Sequence, residues 1–322
     1  MPTFTRRSAL VTALLGLLAP HAFGQTYPSK PITLVVPYPA GAAVDNIGRG
    51  LALELSKRLG QSVVVENVGG ASGTIGAGKV RRSTPDGYTL MVGTVNELLV
   101  APTVMKSGYS VSDFTPIAKI SSNSTVLVAH PGFSANSADE LIEQARRSKE
   151  PLLMGATGAA VMQTVGGMLL AEAGGIEITN VVYKGGAPMV TDLLAGQVLV
   201  GTVALNSVLP HIRNGKLKPL GVISNHRDPT APEIPTINEG KAVKNVEADL
   251  WTGLVGPKDL PPPVVSRLTA VMRDILSEAK YRESQLKAGS IPADPEAEAV
   301  FSRFVLGEKT RLAPVLAKVK VE

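Results

Sequence analysis

Residues 31–49 constrain this chain more than any other stretch. Pro31 to Pro37 is an apolar, β-branched run that reads as a buried strand. Tyr38-Pro39-Ala40-Gly41-Ala42-Ala43 follows, a turn of mostly small residues. Val44, Ile47, Leu51, Leu55 and Leu59 then recur at helical spacing. Strand, bare loop and helix start in succession leave backbone N–H groups open at a helix N-terminus, a natural seat for an anion. Asp45, in the first turn, admits two readings, a helix-end charge or a ligand contact.

The same arrangement recurs. Met154-Gly155-Ala156-Thr157-Gly158-Ala159-Ala160 leads into Val161, Val165 and Leu169. Further strand-like runs are Ser62–Glu66, Thr89–Val92, Thr125–Ala129, Leu152–Gly155, Val181–Tyr183, Gln197–Val203 and Leu217–Ile223. Helical patterns separate several of them. Ser137-Ala138-Asp139-Glu140 is a capping box ahead of Leu141 and Ile142. Pro188 falls near a helix start and Gly196 just past its end. A long helix is expected after Pro261-Pro262-Pro263, and a terminal one after Asp294-Pro295. Such alternation predicts α/β layers with largely parallel sheets.

The N-terminus reads as an export signal of 24 residues. Arg6 and Arg7 are basic, Ala9 to Ala19 is an apolar run too short to span a bilayer, and Ala22-Phe23-Gly24 offers small residues at a cleavage point. Thr5-Arg6-Arg7 also fits a twin-arginine route. Cleavage would leave 298 of 322 residues and lower the formal net charge from +5 to +3. That length suits two domains. Ser121–Thr125 and Glu247–Trp251 are the expected joints, giving domain 1 as residues 27–124 plus 248–322 and domain 2 as 125–247. Two crossings would make a hinge around a cleft.

Several chemistries are disfavoured. With no cysteine there is no thiol nucleophile, thiolate metal site or lipoprotein anchor. The four histidines lack metal-ligand spacing, no Gly-x-Ser-x-Gly elbow occurs, and no basic run suggests nucleic acid. Gly73 to Lys79 approaches a phosphate-binding loop, but Val80 stands where a hydroxyl should hold magnesium. No cofactor, metal or catalytic residue is expected. Lys184 admits two readings, a solvated loop charge or a cleft residue.

Six blocks carry a family resemblance: Tyr27 to Pro39, Val63-Val64-Val65-Glu66-Asn67, Pro85-Asp86-Gly87-Tyr88-Thr89-Leu90, Tyr183-Lys184-Gly185, Asp192 to Val198, and Gly215 to Leu220, with Pro235-Thr236 and Glu239 beyond. In them the chain resembles the Bug family, periplasmic solute-binding receptors of tripartite tricarboxylate transporters, over nearly all of its length after the signal. The resemblance implies a two-domain periplasmic-binding-protein (Venus-flytrap) fold, each domain a mainly parallel sheet flanked by helices. It implies no catalysis, and a small carboxylate held largely by backbone and water. By position, the first binding loop is Tyr38, Pro39, Ala40, Gly41, Ala42, Ala43 and Asp45. The second is Ala156, Thr157, Gly158, Ala159 and Ala160. Ser72, Thr94, Asn96 and Lys184 fall in neighbouring loops. The expected partners are the carboxylate and the membrane permease subunits of such a transporter, with the chain a periplasmic monomer.

The chain departs from the family pattern in two places. Ala40-Gly41-Ala42 replaces Pro-Gly-Gly, and Leu199 and Val203 stand where acids are common. An acid that could pair with a ligand amine is missing, which favours a plain carboxylate with an apolar or aromatic body. Competing readings are a periplasmic sensor component that signals when loaded, and an exported enzyme, which would need a convergent acid, base or nucleophile.

Overall fold

The computed structural model describes residues 27–105, 107–296 and 298–319. The expected export signal, residues 1–24, lies outside the described residues.

The opening run forms β1 (Ile32–Val36), followed by α1 (Ala43–Leu59) and β2 (Val63–Asn67). After the tight turn Ala71–Gly73 come α2 (Thr74–Arg81) and β3 (Thr89–Thr94). β1 lies between β2 and β3, parallel to both. A π-helical turn (Asn96–Val100) and the short α3 (Ala101–Val104) lead to β4 (Phe114–Asn123). The chain then enters a second sheet through β5 (Thr125–Ala129), α4 (Ala138–Arg147), β6 (Leu152–Ala156), α5 (Met162–Gly174), β7 (Ile178–Val182), α6 (Gly186–Leu194), β8 (Val200–Ala204), α7 (Leu205–Arg213) and β9 (Lys218–Val222). It returns through β10 (Leu250–Pro257), α8 (Pro262–Ser277), α9 (Ala279–Lys287), β11 (Ile291–Pro292) and α10 (Glu298–Leu316).

The first sheet has six strands in the order β11-β4-β10-β3-β1-β2, and the second five in the order β7-β6-β8-β5-β9. Both sheets are mixed rather than mainly parallel. β10 is antiparallel to β3 and β4, and β5 to β8 and β9. The reason is topological. β5 and β10 are the strands entered just after each crossing, so they run away from the other sheet while their neighbours run toward it. The crossings lie side by side: Ile223 N donates to Thr125 O (2.8 Å), and Thr125 Oγ1 to Ala248 O (2.6 Å). The expected joints are thus largely strand, since Ser121–Asn123 close β4 and Leu250–Trp251 open β10.

Apolar clusters line both sheets. One joins β1, α1 and α8 through Leu34, Leu51, Leu55 and Leu268; another lies under α6 and α7. The largest spans both sheets, with Val165 of α5, Trp251 of β10 and Phe301 of α10. At α4, Ser137 Oγ accepts from Glu140 N (3.2 Å), as the capping box predicts, but the Glu140 carboxylate reaches Asn136 N (2.8 Å). The phosphate-loop-like stretch is a tightly packed helix. A Cβ at Gly76 would fall 2.7 Å from Val68 O, and Lys79 pairs with Glu66. No helix among the described residues is long and apolar enough to cross a membrane.

Candidate functional site

A cavity of about 780 Å³ opens between the two sheets. It lies outside the carboxyl ends of β1, β3, β4, β6 and β8, where open α/β sheets place their ligands. The first wall is built by Tyr38, Pro39, Gly41, Ala42, Ala43, Val44 and Ile47 around the start of α1, and by Thr94, Val95 and Asn96 after β3. Asn123 and residues 250–252 form the crossing side. The opposite wall carries Thr157, Val161, Gln163, residues 184–188, Val190, Thr191, Leu194, Val203 and Ala204, and from α7 Asn206, Ser207 and His211.

Most of this lining is apolar. Among the described residues, no Asp or Glu lines the cavity, and Lys184 and His211 are its basic side chains. Four buried polar atoms of lining residues have no protein partner: Asn123 Oδ1, Thr157 Oγ1, Gln163 Oε1 and Trp251 Nε1. Buried polar atoms are normally satisfied, so each would gain from a partner that reaches it. Among the described residues no group of His, Cys, Asp or Glu could hold a metal ion.

Tyr38, Pro39, Gly41, Ala42, Ala43, Thr94, Asn96, Thr157 and Lys184 therefore reach the cavity, whereas Ala40, Asp45, Ser72, Ala156, Gly158, Ala159 and Ala160 are not among its lining. Asp45 is turned inward and 2% exposed. Its carboxylate accepts from Gly41 N (2.8 Å), Arg49 Nε (2.9 Å) and Asn67 Nδ2 (2.8 Å). Burial opposes its charge, but these hydrogen bonds outweigh it and hold the carboxyl below the usual range. Asp45 thus braces the first loop, leaving the uncapped start of α1 facing the cavity. Ala156 and Ala160 are fully buried. Ser72 sits in the turn Ala71–Gly73, with φ at 53°.

At the second loop, Met162 N, in the first turn of α5, donates to Asn96 Oδ1 across the cavity (2.8 Å). Asn96 thereby caps a helix of the opposite wall and ties the walls together. Asn96→Ala should cost about 1–2 kcal/mol by leaving that N–H unpaired. Urea unfolding reads the loss, and small-angle scattering of the unliganded variant should give a larger radius of gyration than wild type.

The lining that sequence reasoning passed over comes mainly from α6, α7 and β10. α7 has Pro210 inside it, which masks its helical pattern. Val203 lines the cavity, whereas Leu199 is exposed and lies outside its lining.

A family model described as "Tripartite tricarboxylate transporter family receptor" matches residues 47–321. Protein BugT of Bordetella pertussis is 33% identical over 285 residues, covering 87% of this chain and 86% of that protein. The structure of R. palustris Rpa4515 with adipate is similar at TM-score 0.80 and 30% identity, covering 90% of this chain and 97% of that one. MatC from Rhodopseudomonas palustris with bound malate is similar at TM-score 0.80 and 28% identity, covering 90% of this chain and all of that one.

Proposed function

Because the chain belongs to the tripartite tricarboxylate transporter family of receptors, we propose that its cavity captures a small carboxylate in the periplasm and presents it to the permease subunits of such a transporter. It is a solute-binding receptor of the periplasmic-binding-protein fold, not an enzyme. The observation that carries the carboxylate reading is the chemistry of the lining. Two basic side chains and an uncapped helix start border a cavity whose lining residues carry four unpartnered polar atoms and, among the described residues, no carboxylate. An anion entering it meets favourable charge and no like charge among the lining side chains, Glu97 lying buried behind them. Relatives solved with adipate and malate support the same class.

The apolar surround, with Val203 in place of an acid, favours an acid with an apolar body over an amino acid. The described residues of 27–124 and 248–319 form one lobe and 125–247 the other, hinged at the paired crossings. Ligand bound to both walls stabilises the closed arrangement because it contacts both only there.

A thermal-shift panel of adipate, malate, benzoate, aspartate and glucose on the chain freed of its export signal and bound solute tests this. An acid at 100 times its dissociation constant should stabilise by roughly 2.7 kcal/mol. The reading expects shifts confined to acids, with adipate or benzoate above aspartate. A shift from glucose alone overturns it.

A further inference from the structure

Glu97 is fully buried in the turn after β3, directly behind the first wall of the cavity. Its Oε2 accepts from Tyr38 Oη (2.9 Å) and Thr94 Oγ1 (2.6 Å), and its Oε1 from Thr94 N. Tyr38 and Thr94 both line the cavity. Asn96 feeds the same chain from the other side. Its Nδ2 donates to Tyr38 Oη (3.4 Å) and its backbone N to Thr94 Oγ1 (3.1 Å). The two hydroxyl oxygens also lie 3.2 Å apart, so with Glu97 ionised both hydroxyl protons are held within this cluster and only lone pairs are left to offer a ligand. That suits a hydroxyl or ammonium donor and repels a carboxylate.

Among the described residues, no cation pairs with the carboxyl. The groups acting on it are Thr94 of β3, Tyr38 of the first loop and its own backbone N–H. Tyr109 Oη donates to Glu97 O (2.6 Å). On the neighbouring α2, Lys79 pairs with Glu66 and Arg81 with Asp113. α3 carries no charged side chain, and the turn Ala71–Gly73 none either.

We propose that Glu97 is a specificity-determining residue: its protonation reverses the hydrogen bond at Tyr38 or at Thr94, so that loading a carboxylate there takes up one proton. The proton comes from solvent and rests on Oε2, which donates it to one hydroxyl. That hydroxyl's own proton turns into the cavity and meets the ligand carboxylate. Nothing else is transferred. Burial pushes the Glu97 carboxyl up to about 7, so the exchange falls near neutral pH. This inference rests on the carboxylate reading above.

The test is calorimetric titration of adipate, malate and benzoate in buffers of different ionisation enthalpy. Near pH 8 the wild type should take up close to one proton per acid bound, and Kd should rise about tenfold per pH unit above neutrality. Glu97→Gln places an amide donor where the protonated carboxyl would stand. It should bind with no proton uptake and with a pH-independent Kd, about tenfold or more tighter than wild type at about pH 8.5. Wild-type binding without proton uptake overturns the proposal and leaves the receptor reading intact. So does an E97Q variant that retains the uptake, which would place the proton on another group. If none of the three acids binds at any pH, the carboxylate reading falls and takes this inference with it. The wild-type proton count needs no variant. A carbon-13 titration of the Glu97 carboxyl, whose pKa should rise on loading, checks the assignment if E97Q fails to fold.

Discussion

Wild-type protein should lose about 3 kcal/mol of stability to Glu97 alone as pH rises from about 5 to about 8, and Glu97→Gln should be spared that loss. The sign follows from where the proton sits in each state. In the folded chain, burial holds the Glu97 carboxyl protonated up to about 7. In the unfolded chain it titrates near 4.3. Between these values unfolding releases a proton, so rising pH favours the unfolded state. The stabilising contribution is whole below about pH 4 and is lost as pH passes through about 7. Asp249, pushed up to about 6 by burial and the nearby Glu247 charge, pulls the wild type the same way. The quantity to read is therefore the difference between the two proteins in urea unfolding, where the Asp249 part cancels. That difference should be flat below about pH 4 and should shift in favour of E97Q by about 3 kcal/mol by about pH 8. A flat difference throughout would mean that the Glu97 carboxyl ionises at its ordinary value despite its burial.

Local patterns in the chain foretell its local structures well. The β1 run, the helical spacing of Val44 to Leu59 and the Ser137 cap each depend on residues a few positions apart, and each forms where expected. β4 and β10 escape because their compositions argue against strands. Pro116 interrupts the first, and two glycines and a terminal proline dilute the second. The glycines have a tertiary cause: a Cβ on Gly253 would clash with the edge of the Phe301 ring, and one on Gly256 with Leu260. The mixed sheets follow from where the chain crosses, which no window of residues contains. At the site, Tyr38, Thr94 and Asn96 stand out as polar residues at strand ends. Glu97 does not, since its importance lies in a bond to a residue 59 positions earlier. Asp45 reads as a ligand candidate only until Asn67 and Arg49 are brought to it by the fold.

Trp251 serves both the core and the cavity, and two substitutions should separate these roles. Its ring is 2% exposed and meets Phe301 and Phe304 edge-on, with centroids 5.8 and 5.7 Å away. It belongs to the apolar cluster that spans both sheets. Trp251→Ala should cost about 3–5 kcal/mol in urea unfolding, because the lost contacts and the residual void act together. It should also loosen the packing between the sheets at α10. Trp251→Phe keeps most of the apolar contact and removes Nε1, a donor without a protein partner. Deleting an unsatisfied donor is nearly neutral for the unliganded fold, within about 1 kcal/mol. A bound acid that accepts from that N–H gives it a partner only in the loaded state. Trp251→Phe should then weaken whichever panel acid binds the wild type by about tenfold, the value of one good hydrogen bond to a charged acceptor. If Trp251→Phe leaves Kd unchanged, the indole is a core residue at the cavity's edge, and the acid takes its hydrogen bonds from the start of α1 and from Thr157.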